Sequence, residues 1–124
     1  MRKILLYIGG SLTLCFSLLH LSFWKIGNWQ EELLKITPDN KGIVQMLNVV
    51  SIYTLLFSAF VSFYLARKTE FTFIEKTLII FIACYYLLRV AFGIPFFGFS
   101  IEEVVIWIIC FAIAFCYLFA LRQK

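Results

Sequence analysis

Four long apolar runs leave this chain few ways to fold. Ile4–Phe23 and Gly42–Ala66 carry no charge, Thr77–Phe92 is interrupted only by Arg89, and Val104–Leu121 is again uncharged. A helix needs about 20 mostly apolar residues to cross the hydrocarbon layer of a bilayer. The runs are continuous rather than alternating, which excludes the strands of a membrane β-barrel. The expected fold is all-α, a polytopic four-transmembrane-helix bundle forming a single domain. Its spans are expected at about 4–24, 38–66, 73–92 and 101–121, with a short interfacial amphipathic helix at about 28–36.

Composition agrees. The chain is 63% hydrophobic and 15% charged, against about 45–50% and about 25% in soluble domains. Its net charge of +4 does not imply nucleic acid, because the basic residues stand at the ends of the apolar runs, where they anchor helices. Arg2 and Lys3 before an apolar run resemble a secretory leader. The run outlasts such a core, however, and no small-x-small cleavage site follows, so it is read as a retained helix. Leu14, before Cys15, occupies the position where lipid-attachment signals carry a small residue.

Orientation follows from the basic residues. An even number of spans puts both termini on one side. That side holds Arg2, Lys3, Arg67, Lys68, Lys76, Arg122 and Lys124, against Lys25, Lys35 and Lys41 on the other. The positive-inside rule then makes both termini cytoplasmic, in an inner cell membrane.

Helix ends carry their own signals. Thr37-Pro38 opens the second span, with Thr37 as cap and Pro38 in the first turn. Thr72 with Glu75, and Ser100 with Glu103, read as capping boxes for the third and fourth. Gly93 and Pro95 are expected to end the third. Asn28 with Glu31 is expected to cap the interfacial segment, which sets Trp29, Leu33 and Ile36 on one face, with Trp24 and Trp29 at headgroup level.

Each span has an inward stripe at three-four spacing. The stripes are Gly10, Thr13, Ser17, His20 and Trp24; Asn48, Ser51, Leu55, Ser58 and Ser62; Glu75, Leu78, Ile82, Tyr85 and Arg89; and Glu103, Trp107, Cys110, Ala114 and Tyr117. The first two are small and hydroxylic, which suits close backbone packing in lipid. Gly9, Thr13 and Ser17 would equally support a homodimer.

The polar residues in these spans fall at one depth, near the outer leaflet. They are His20, Asn48, Tyr85, Arg89, Glu102 and Glu103, the candidate ligand-binding residues. A charge inside a membrane needs a partner, so Arg89 is expected to meet Glu103 or Glu102. A purely structural account competes: Arg89 snorkels, Glu103 caps, and His20 bonds a carbonyl.

No cofactor or catalytic residue is expected. His20 is the one histidine, so paired-histidine haem ligation is impossible. Cys15, Cys84, Cys110 and Cys116 lie inside spans without a C-x-x-C and are read as small apolar packing residues, neither zinc ligands nor reactive thiols. The first span lacks the mid-membrane carboxylate of small multidrug transporters and the glycine-rich, arginine-bearing start of fluoride channels.

Two functions remain. The preferred one is a non-catalytic membrane protein, either an accessory subunit of a larger membrane complex or a binder of a lipid or quinone in the outer polar pocket. The alternative is a small transporter, channel or membrane enzyme acting through His20, Arg89 and Glu103.

Overall fold

The computed structural model describes residues 1–123; Lys124, counted above among the cytoplasmic charges, lies outside the described residues. The elements are α1 (Arg2–Ile26), α2 (Trp29–Glu32), α3 (Pro38–Leu65), α4 (Phe73–Phe97) and α5 (Ile101–Arg122). All but α2 are long and apolar enough to cross a membrane. The protein is an all-α, multi-pass membrane bundle.

Helix starts follow local chemistry. The Thr37 hydroxyl accepts from Asn40 N–H with Pro38 in the first turn, and Thr72 with Glu75 forms a complete capping box. At α5 only half the box forms. Ser100 accepts from Glu103 N–H, but the Glu103 carboxylate turns away to Arg89.

Two expected boundaries change. The interfacial helix expected at 28–36 is the single turn Trp29–Glu32. Asn28 sits at φ 45° and its side-chain amide bonds the Glu31 carboxylate, so it caps no backbone N–H. Only Leu33 of that segment is buried, too little apolar cover to hold a longer helix. The α4 helix does not stop at residue 92 but runs through Pro95 to Phe97, ending at Gly98 with φ 76°. Pro95 has no N–H to donate to the Ala91 carbonyl, so the last turn of α4 goes on with one backbone bond forfeited. The Trp107 indole N–H donates to the Val90 carbonyl at 2.9 Å and ties α4 to α5.

Around the bundle the order is α3, α1, α5, α4, with α3 and α4 meeting only lightly to close the ring. Apolar burial does not drive helices together in lipid, so the close contacts depend on small residues. A methyl at Gly9 would lie 3.1 Å from the Tyr117 ring, and one at Gly10 would lie 2.9 Å from the Ser62 Cβ and from the Phe63 ring. The paired glycines thus let α1 approach α3 and α5 together.

The stripes are largely as expected on α1 and α3, with Thr13, Ser17, Asn48, Leu55, Ser58 and Ser62 buried and Ser51 half-buried. On α4 the inner face is Glu75, Ile79, Ile82, Ala83, Tyr86 and Gly93, so Leu78 and Tyr85 yield to their neighbours. The expected and observed ladders share Glu75 and Ile82 and have the same three-four spacing, so spacing could not separate them. On α5 Trp107 sits outside at the α4 seam instead of in the core. Of the cysteines, only Cys110 packs inside; Cys15 and Cys84 are exposed on the apolar outer surface.

Candidate functional site

At the core, each spanning helix contributes one hydroxyl to a continuous chain. Tyr86 of α4 donates to Thr13 of α1 at 2.9 Å. Thr13 lies 3.1 Å from the Tyr117 hydroxyl of α5, which lies 2.7 Å from Ser62 of α3. Ser62 donates to the Ser58 carbonyl at 2.6 Å. That last bond fixes the rest. Because Ser62 spends its proton on a carbonyl, it accepts from Tyr117, Tyr117 accepts from Thr13, and Thr13 accepts from Tyr86. No buried side-chain nitrogen or oxygen among the described residues lacks a partner.

Near the 27–37 and 98–100 connections, toward one end of the bundle, a second polar group forms. Arg89 of α4 meets Glu103 of α5 through two bonds, Nη1 to Oε1 at 2.5 Å and Nη2 to Oε2 at 2.8 Å. The Arg89 side chain is 29% exposed and that of Glu103 6%. The Phe97 ring covers the guanidinium at 4.8 Å. Gly93, one turn beyond Arg89, makes room for the pair, since a methyl there would collide with both Arg89 Nη1 and Glu103 Oε1. Sequence reasoning took Gly93 for a helix terminator; its absent side chain serves the ion pair instead.

His20 and Asn48 form a second joint, between α1 and α3. The Asn48 amide nitrogen donates to the His20 backbone carbonyl at 3.1 Å, and its oxygen lies 2.8 Å from His20 Nδ1. The imidazole ring lies tilted against that of Phe23, with centroids 4.7 Å apart.

These groups border two hollows. A cleft of about 210 Å³ has Phe16, Leu19 and Phe23 of α1 on one wall and Phe97 and Ile106 of α4 and α5 on the other, with His20, Arg89 and Glu103 as its polar lining. Deeper in, a cavity of about 40 Å³ lies against Leu55, Tyr85, Tyr86 and Cys110, sharing Phe16, His20 and Arg89 with the cleft. Five of the six expected residues therefore gather: His20, Arg89 and Glu103 on the cleft, Tyr85 on the inner cavity, and Asn48 behind His20. Glu102 does not join them. It is exposed on the first turn of α5, one residue round from Glu103, so it faces away from Arg89. The aromatic walls were invisible to the sequence reading because most phenylalanines, such as Phe60, Phe81 and Phe111, face outward, and residue type alone does not single out Phe16, Phe23 and Phe97.

Among the described residues no group of three His, Cys, Asp or Glu side chains gathers as a metal ion would require. At the opposite end a hollow of about 420 Å³ lies between Arg2, Glu70, Phe71 and Lys76. Its surroundings are mainly structural: Arg2 donates to the Lys68 and Thr69 carbonyls and covers the Phe71 ring. Neither family models, nor curated proteins, nor solved structures give a match to this chain.

Proposed function

We propose that this protein is a non-catalytic membrane protein that binds a lipid or quinone in the cleft beside His20 and Arg89, alone or as an accessory subunit of a membrane complex. In this reading it lies in the inner cell membrane with both termini in the cytoplasm, so that the cleft opens in the outer leaflet. The cleft itself carries the reading: aromatic and aliphatic walls enclose a small polar patch, the usual make-up of a ligand pocket. At about 210 Å³ it is smaller than the roughly 300–1,000 Å³ of sites that enclose a drug-sized ligand. It suits a head group and the start of a tail, with the remaining tail lying among acyl chains.

Transport or catalysis through His20, Arg89 and Glu103 is less favoured. Arg89 and Glu103 hold each other through two hydrogen bonds, and a mechanism that moves either charge would have to open that pair. Native mass spectrometry from lipid nanodiscs tests the binding reading. The wild type should retain one class of lipophile at near-unit stoichiometry, and Leu19→Trp, which fills the cleft, should lose it. A wild type that carries nothing would overturn the proposal.

A further inference from the structure

The His20–Asn48 joint specifies what kind of head group the cleft takes. The Asn48 amide is engaged at both ends by one residue. Its nitrogen donates to the His20 carbonyl, which leaves its oxygen as the only amide atom facing His20 Nδ1, at 2.8 Å. An oxygen there accepts, so neutral His20 carries its proton on Nδ1. Nε2 then presents a lone pair. It has no hydrogen-bond partner among the described residues, and the half-buried ring borders both the cleft and the inner cavity.

The charges on the same wall exclude the obvious competitor. Arg89 alone would attract an anionic head group. The paired Glu103 carboxylate cancels its charge and itself lines the cleft, so an anion would meet attraction and repulsion together. The end-on geometry of the pair still leaves Arg89 with N–H groups not used by Glu103, able to donate to a neutral oxygen. A hydroxyl satisfies both neighbours, because its proton goes to Nε2 while its oxygen accepts from Arg89. A carbonyl or ether oxygen can do only the second.

Resting on the binding reading above, we infer that the cleft selects a neutral lipophile bearing a free hydroxyl, of the quinol or diacylglycerol type, over its carbonyl, ether or anionic counterparts.

The test compares four probes on detergent-solubilised protein by microscale thermophoresis under anaerobic conditions: decylhydroquinone, its dimethyl ether, dioctanoylglycerol and dioctanoyl phosphatidate. One lost hydrogen bond is worth about a factor of ten. Decylhydroquinone should bind about tenfold more tightly than its dimethyl ether, and whether dioctanoylglycerol exceeds phosphatidate by a similar factor identifies a glyceride source. In His20→Phe the hydroquinone-to-ether ratio should fall to about one. Equal binding of hydroquinone and ether to the wild type, or tightest binding of phosphatidate, overturns the hydroxyl selectivity and leaves the binding reading standing. No binding by any probe, with an empty wild type in native mass spectrometry, overturns both. Nitrogen-15 spectra of the single histidine give a check free of variants. An Nδ1-protonated ring whose Nε2 resonance moves with hydroquinone is expected, and an Nε2-protonated ring overturns the inference.

Discussion

Arg89 and Glu103 face one another through two parallel hydrogen bonds across the α4–α5 seam, under the ring of Phe97 and over the bare backbone of Gly93. Fork-to-fork pairing of this kind fixes geometry as well as charge. Its two members are unequal, since the carboxylate is nearly buried while the guanidinium keeps partial contact with its surroundings.

That inequality predicts a double-mutant cycle. Arg89→Ala strands a buried carboxylate and should cost about 2–3 kcal/mol, below the loss for a fully buried pair because Arg89 is partly exposed. Glu103→Ala should cost less, and the double variant should recover about 1–2 kcal/mol relative to the sum. Unfolding in mixed detergent micelles measures it; additive losses would reduce Arg89 to a surface anchor.

Glycine substitutions should rank by what a methyl would meet. Gly93→Ala drives into the ion pair and should lose about as much as Arg89→Ala. Gly10→Ala meets Ser62 and the Phe63 ring at 2.9 Å and should also destabilise. Gly42, in α3, has nothing within 4 Å, so Gly42→Ala should be neutral or stabilise by up to about 1 kcal/mol. Thermal unfolding of the three variants checks the order.

The hydroxyl chain makes a directional prediction. Tyr86→Phe removes the first donor and strands no proton, so it should cost about 1 kcal/mol or less. Tyr117→Phe leaves Thr13 with a buried hydroxyl and no acceptor, and should cost about 1–3 kcal/mol. The reverse order would mean that the protons run the other way.

At the opposite end, Lys68 lies 2.5 Å from Glu75 and over the Tyr64 ring. Hydrogen bonding first to Glu75 and then to Tyr64 raises its pKa above the ordinary 10.5. A raised folded-state value stabilises fully below the ordinary one and ceases to do so as pH climbs through the raised one. Stability should therefore fall above pH 10.5 by an amount absent in Lys68→Met. Because Lys68 is partly exposed, the effect should also shrink in concentrated salt.

Orientation can be read with introduced cysteines and a membrane-impermeant maleimide. Lys35→Cys should label in intact cells, and Thr69→Cys only after permeabilisation. Labelling of both from the same side would remove the four-span topology.

The spans, the caps at Thr37 and Thr72, and the shared depth of His20, Asn48, Arg89 and Glu103 were legible in the sequence because each rests on local chemistry or on counting residues from a helix end. What was not legible depends on neighbours. Tyr85 and Tyr86 are adjacent and chemically identical, and only Thr13 on another helix decides which goes inside. Gly93 and Pro95 carry the signature of a helix end, yet α5 supplies the Glu103 carboxylate beside Gly93 and the Trp107 bond to the Val90 carbonyl earlier in the same helix. Glu102 and Glu103 differ only by a step of about 100° around the helix, which separates an exposed side chain from one buried against Arg89.

The four-hydroxyl chain bears on how the bundle finds a unique arrangement at all. Greasy helices in lipid slide and turn against one another at little energetic cost, since one hydrocarbon face resembles the next. Here Tyr86, Thr13, Tyr117 and Ser62 meet at one locus, one from each long helix, and every proton there is assigned by the single carbonyl of Ser58. Turning any one helix by a residue would break a link and strand a hydroxyl in hydrocarbon. The chain therefore sets rotational register for all four spans together, and the geometry of the neighbouring cleft inherits its definition from that shared point.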